Sequence, residues 1–192
     1  MQHDGIISCG TVHPAADDAL DELGRIQSLG LHGIKFHPDY QDFFVDDKSV
    51  YPIYEVISQL GFPVVFHAGY DPLSPDVCHA SPQRLAQVAA DFPNMKIVAA
   101  HLGGVLNSKE AAEYLLGKDI FMDVSMIPGY TDIETFCMLI RAHRPDRLLF
   151  GSDCPWYTPA KVMDYLARCS LPADVMDMIT HQNAIKLFDI KV

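Results

Sequence analysis

The sequence predicts an α/β fold in which a parallel sheet is built from about six strand–helix units. Short apolar runs such as Val64-Val65-Phe66 and Ile97-Val98-Ala99-Ala100 are continuous rather than alternating, the pattern of strands covered on both faces. These runs alternate strictly with stretches of helical spacing, which argues for right-handed crossovers between parallel strands. Several runs also finish on a Lys, His or Asp, and in parallel α/β folds the C-terminal strand ends form the binding face. An eight-stranded barrel takes roughly 250 residues. Six units in 192 residues have a similar length per unit, and the count stands two units short.

In chain order, residues 5–12 are rich in Ile, Cys, Thr and Val and close at His13-Pro14, which reads as a strand ended by proline. Asp17-Asp18 opens a helix with Leu20, Leu23, Ile26 and Leu29 at helical spacing and Gly30 beyond its end, as dipole and C-terminal chemistry favour. Residues 33–37 are the next strand, 39–47 an aromatic, acidic loop and 50–60 a helix. The unit repeats as strand 62–67, a long proline-containing loop 70–81, and helix 82–91 with proline in its first turn. Then come strand 96–101 and helix 108–116, with Ser108 as the expected N-cap. Strand 120–124, loop 127–130, helix 132–142, strand 147–150 and helix 159–168 follow, and 172–188 is a closing helical region. No linker-like or low-complexity segment interrupts this pattern, so residues 1–192 read as one domain.

Hydrophobic residues make up 49% and charged residues 20%, which suits a globular fold with a sizeable core. The formal net charge of −11 argues against nucleic acid, which rewards phosphate-neutralising Lys and Arg, and against an anionic membrane surface. Cys9, Cys78, Cys137, Cys154 and Cys169 are odd in number and widely spaced, with no C-x-x-C pair. They read as reduced, buried thiols rather than a disulfide framework or a thiolate zinc knot. Met1-Gln2-His3-Asp4 is too polar to begin a signal peptide, and no apolar run reaches the ~18–20 residues of a membrane span. The expectation is a soluble, cytoplasmic protein acting on a small molecule.

Four strand ends carry the chemistry: Gly33-Ile34-Lys35-Phe36-His37-Pro38, Val65-Phe66-His67-Ala68-Gly69, Ala99-Ala100-His101-Leu102-Gly103-Gly104 and Phe150-Gly151-Ser152-Asp153-Cys154-Pro155. Neutral imidazoles such as His67 and His101 suit Zn²⁺ or Fe²⁺, and strand-end placement leaves a coordination face open. Asp153 is a metal ligand, or the group that accepts a proton from activated water and delivers it to a leaving group. Lys35 and His37 are two apart on one strand and point to the same side. Lys35 bridges metals if carboxylated, or holds a substrate carboxylate as a plain ammonium.

Those segments, in that order and together with Met122-Asp123-Val124-Ser125, resemble the amidohydrolase superfamily. The match is to its amidohydrolase-related branch of TIM-barrel metal-dependent hydrolases, which includes non-oxidative aromatic-acid decarboxylases. Asn183-Ala184-Ile185-Lys186-Leu187-Phe188 is similar to that branch's usual ending. The resemblance implies a (β/α)8 barrel, here incomplete, with metal ligands at His67, His101 and Asp153 and catalytic roles for Asp153, His101, Lys35 and His37. It implies a divalent metal, Zn²⁺ first, with Fe²⁺ and Mn²⁺ as alternatives. The branch's first-strand His-x-His is absent from the sequence, and Gln2-His3-Asp4 is not a substitute because no apolar strand precedes it. The chain is therefore expected to start just before the third strand, to hold metal more loosely, and to leave the strands at 5–12 and 147–150 with unpaired edges. Self-association, or a complementing chain across the open edge, follows as an expectation.

Around these residues, Tyr70, His79 and Trp156 are candidate substrate contacts, Tyr70 and Trp156 following strand ends and His79 lying in the loop after His67. The 39–47 loop, with Tyr40, Phe43 and Phe44, is a candidate lid or subunit contact. Asp123 is a candidate to support the site from behind. His13 reads as structural or rim, and His32, His143 and His181 as surface or capping residues. Cys154 reads as a buried thiol. The leading function is a metal-dependent hydrolase of an amide, lactone or ester with Asp153 as general base and acid. The alternatives are a decarboxylase of an aromatic or unsaturated acid using the same site, and a non-catalytic remnant or partner subunit.

Overall fold

The computed structural model describes residues 5–74 and 76–191. Five strands, β1 (Ile34–Phe36), β2 (Val64–Phe66), β3 (Ile97–Ala99), β4 (Phe121–Asp123) and β5 (Leu148–Leu149), pair in parallel in the order β1-β2-β3-β4-β5. Register runs straight across, with Lys35 opposite Val65 and Val65 opposite Val98. The helices are α1 (Ala19–Ser28), α2 (Pro38–Gln41), α3 (Tyr51–Leu60), α4 (Pro82–Asp91), α5 (Ser108–Tyr114), α6 (Ile133–Ala142), α7 (Pro159–Arg168), α8 (Ala173–Asp177) and α9 (Asn183–Leu187). A π-helical stretch, Met178–Gln182, joins α8 to α9.

The alternating strand faces explain the core. Ile34, Phe36, Val64 and Phe66 are fully buried under the helices, where Phe36 stacks on Phe66 and both meet Tyr54 of α3 edge-on. Burying each of these phenylalanines stabilises the fold by roughly 2–3 kcal/mol. The opposite face of the sheet, Val65, Val98, Phe121 and Leu149, packs on Ala184, Leu187 and Phe188 of the closing segment. The side chains of Ser81, Asp132 and Thr158 cap α4, α6 and α7 by accepting backbone N–H groups in their first turns. At α5 the N-cap is Asn107, one residue earlier than expected, and the Ser108 hydroxyl pairs with Thr131 instead. The 39–47 segment is not all loop, because Pro38 starts the single turn α2.

Four expectations are corrected. The expected strand 5–12 is reduced to one parallel bridge, Gly10 to Ile34, held by Gly10 N–H to Gly33 O and Lys35 N–H to Gly10 O. Ile6, Ile7 and Cys9 on that segment are exposed, so it lacks the two-sided burial that sustains a strand. The β5 edge is not bare: Phe150 N–H donates to Ile179 O, and the Asn183 side chain donates to Pro145 O and Leu148 O. Cys137 of α6 and Cys169 at the end of α7 form a disulfide, because packing of those helices brings two distant positions together. Cys9 and Cys154 are exposed rather than buried. Finally, His143 is a buried residue, accepting Gly117 N–H at Nδ1 and donating from Nε2 to Ile120 O. Gln2-His3-Asp4 lies outside the described residues. Among the described residues no helix is long and apolar enough to cross a membrane.

Candidate metal centre

Each strand hands over a polar side chain for a local reason. Beyond β1, Pro38 forces a new turn and leaves His37 at the strand end, its N–H donated to Gln41 Oε1 at 2.9 Å. Beyond β2, Gly69 (φ +86°) lies against the backbone of Val105, where an added Cβ would sit 2.3 Å from a carbonyl oxygen. That contact, with Tyr70 N–H to Val105 O and Val105 N–H to Ala68 O, ties the loop after β2 to the loop after β3. His101 (φ +60°), Leu102 (φ +51°) and Asp153 (φ +59°) occupy left-handed backbone that non-glycine residues adopt at a cost of about 1–3 kcal/mol. At His101 the strain is held by Asp123, whose Oδ1 accepts His101 N–H at 3.1 Å and whose carbonyl accepts Leu102 N–H at 2.7 Å.

These ends meet at a cavity of about 190 Å³ lined by Lys35, His37, His67, His101, Asp153 and Trp156, with Tyr40, Asp71, Met126 and Tyr130 also on its wall. His67 Nδ1 lies 3.1 Å from His101 Nε2, and the His67 ring stacks on His37, which stacks on Tyr40. His37 Nε2 is 3.2 Å from Asp71 Oδ2. Ligand atoms of His37, His67 and Asp71 all fall within 4.8 Å of one another.

The proton positions follow from the partners. His101 Nδ1 faces the Ser125 carbonyl at 3.3 Å, a pure acceptor, and the Ser125 hydroxyl at 2.9 Å, which donates its own proton to Asp123 Oδ1. His101 Nδ1 is therefore the protonated nitrogen, and Nε2 presents a lone pair to the cavity. His67 Nδ1–H donates to that lone pair, leaving His67 Nε2 as a second lone pair. It faces Asp39 Oδ2 at 3.7 Å, and among the described residues neither atom makes a hydrogen bond. Burial, helped by the neighbouring imidazoles and Lys35, pushes His67 down to about 2. Burial likewise lowers His101 and His37, so all three are neutral donors near pH 7. Burial also lowers Lys35, against the pull of Asp123 and Asp153.

A divalent cation fits this donor set. At Zn–N distances of ~2.0–2.1 Å, two nitrogens 3.1 Å apart both reach one ion. Buried, unpartnered His67 Nε2 and His37 Nδ1 are the kind of polar atoms that metal coordination reorients and satisfies.

The cavity thus gathers Lys35, His37, His67, His101, Asp153 and Trp156, the last 63% exposed at the rim. Tyr70 is not on its wall and borders a neighbouring depression with Asp46 and Arg84. His79 is not on the wall either: it is buried behind His67, with its N–H and Nδ1 on Asp39 Oδ1 at 3.3 and 2.9 Å. Sequence reasoning missed Asp39 and Asp71. Each lies two to four residues past a strand-end histidine and just beside a proline, in segments read only as loop. An Asp at that distance from a strand-end His was the available signal. Asp123 supports the site through Ser125, and His13 is exposed and borders a separate depression with Gln41 and Phe43.

An open parallel sheet with imidazoles and carboxylates at its C-terminal strand ends is the layout of a TIM-barrel metal-site protein. The chain belongs to the amidohydrolase family, whose model matches residues 2–190. It is 27% identical over 104 residues to a dihydroorotase of Serratia proteamaculans (strain 568), a match covering 52% of this chain and 29% of that protein. Its structure is similar to an uncharacterised TIM-barrel protein from Bordetella bronchiseptica, with TM-score 0.78, 23% identity and coverage of 95% of this chain and 66% of that one. It is also similar to 5-carboxyvanillate decarboxylase from Sphingomonas paucimobilis, with TM-score 0.73, 18% identity and coverage of 96% and 67%. The chain thus spans under a third of the curated relative and about two thirds of the similar barrels.

Proposed function

We propose that the cavity is the active site of a metal-dependent hydrolase of an amide, lactone or ester. The observation that carries this reading is the facing pair His67 Nδ1 and His101 Nε2, 3.1 Å apart, beside Asp153 in one cavity. His67 and His101 would hold a divalent cation, Zn²⁺ first, with Asp153 as the third ligand or the proton carrier. A cation bound there supplies Lewis acidity toward a carbonyl oxygen and toward water. Asp153 takes the proton of the attacking water and returns it to the leaving group. Lys35 and His37 bind and orient the polar end of the substrate. Met126, Tyr130 and Trp156 line the remainder of the cavity.

A second reading keeps the site and changes the reaction to decarboxylation of an aromatic acid. The observation favouring it is the aromatic wall of Tyr40, Tyr130 and Trp156 around a single lysine, Lys35, which suits a planar carboxylate. The similarity to 5-carboxyvanillate decarboxylase supports the same reading.

Elemental analysis of the purified chain tests the common core. About one divalent ion per chain, lost in a His67→Ala, Asp153→Ala double variant, is the expected result. No bound ion after incubation with excess metal would overturn both readings. A panel of lactones and amides set against aromatic acids then separates hydrolase from decarboxylase.

A further inference from the structure

Among the described residues Asp39 makes its hydrogen bonds on one oxygen only. Oδ1 accepts both the backbone N–H and Nδ1–H of His79, while Oδ2, fully buried, points at His67 Nε2 without a proton between them. A buried carboxylate oxygen facing an imidazole lone pair is an unfavourable arrangement, since both atoms have left water and neither is paired. It arises because His67 keeps its single proton on Nδ1, donated to His101 Nε2. On the other side of the pair, His101 has its outer nitrogen fixed by Ser125 and Asp123.

We infer that Asp39 is a positioning residue that selects the metal-binding tautomer of His67: when a cation takes the two facing nitrogens, the His67 proton moves from Nδ1 to Nε2 and is donated to Asp39 Oδ2. The inference rests on the metal-site reading above. The ring stays neutral throughout, so one proton changes position and none is gained or lost. The shift frees the Nδ1 lone pair for the ion and satisfies both unpartnered atoms together. His79 holds Asp39 in place for this, which gives a role to a histidine that does not reach the cavity. Carboxylate partners of this kind fix the orientation and tautomer of metal-bound imidazoles, and removing one weakens metal affinity by about 10–100-fold.

The test compares Zn²⁺ affinity, by chelator competition, for the wild-type chain, Asp39→Asn and Asp39→Ala, with long-range ¹H–¹⁵N imidazole spectra of each. Asparagine keeps the shape and the His79 contacts but turns an N–H₂ donor toward His67 Nε2, stabilising the tautomer that cannot bind metal. The expected order is therefore Asp tightest, Ala intermediate and Asn weakest, with Asn about 10–100-fold below wild type. In the spectra the wild-type His67 proton moves from Nδ1 to Nε2 on zinc addition. A role in packing alone predicts the two variants in reverse order, with Asn above Ala, because alanine removes more of the buried side chain. That reverse order, or Asn binding within twofold of wild type, would overturn the inference while leaving the metal site standing. Failure of the wild-type chain to bind zinc would overturn the site reading and this inference with it.

Discussion

Two sides of the same histidine pair are built to different degrees of completion. On the β3–β4 side, His101 is locked: its backbone N–H and the N–H and hydroxyl of Ser125 converge on Asp123 Oδ1, and its Nδ1 is held by that same Ser125 hydroxyl. On the β1–β2 side, His67 stacks on His37 and meets His101 edge-on, while its Nε2 faces Asp39 Oδ2 with no hydrogen bond among the described residues. His143 supplies the contrast, since it is equally buried yet has both ring nitrogens partnered by backbone. A buried histidine with two partners is a structural strut. A pair in which one lone pair is turned toward the cavity and the other faces a carboxylate has not used up its donor atoms inside the fold.

The comparison breaks most visibly at Asp123. Asp123→Ala strips the acceptor from three donors and from the strained turn at His101, and is expected to cost about 3 kcal/mol or more in urea denaturation, with metal binding lost as well. A loss near 1 kcal/mol would mean that the His101 side is no better fixed than the His67 side. His143→Ala orphans Gly117 N–H and Ile120 O and leaves a small void, so about 2 kcal/mol of stability should disappear while zinc stoichiometry stays at the wild-type value. Loss of zinc in that variant would erase the distinction between strut and site. The finest effect is in pH dependence. Burial holds the His143 pKa below its ordinary value, so the unfolded chain takes up a proton there near pH 6.5 while the folded one does not. Stability contributed by this residue is complete above that pH and falls as the solution is acidified. His143→Gln should flatten the slope of unfolding free energy between pH 6.5 and 5.5 by up to ~1.4 kcal/mol per pH unit.

Much of this was legible in the chain. Helices Pro82–Asp91 and Pro159–Arg168 stand over the residues where the sequence put them, each opening on its proline. The strand-end residues Lys35, His37, His67, His101 and Asp153 line one cavity because a parallel sheet puts all its C-terminal ends on the same side. The 5–12 segment misled because an apolar run signals a strand only when both of its faces are covered, and here Ile6, Ile7 and Cys9 are exposed. The Cys137–Cys169 disulfide was invisible because it depends on how α6 packs on α7, not on the spacing of the cysteines. The role of Asn183 was hidden for the same reason: its partners, Pro145 O and Leu148 O, lie 38 and 35 residues away.

The sequence by itself determined the repeating strand–helix order, the parallel sheet and which side chains stand at the strand ends, because periodicity, proline and apolar runs act over a few residues at a time. Tertiary structure alone decided which partner each buried histidine nitrogen meets, that Asp39 and Asp71 stand behind and beside the cavity, and that His79 bonds Asp39 and lies off the cavity wall. Those outcomes depend on which buried donor meets which acceptor across separate loops, and a hydrogen bond between residues 34 or 40 positions apart leaves no local pattern to read.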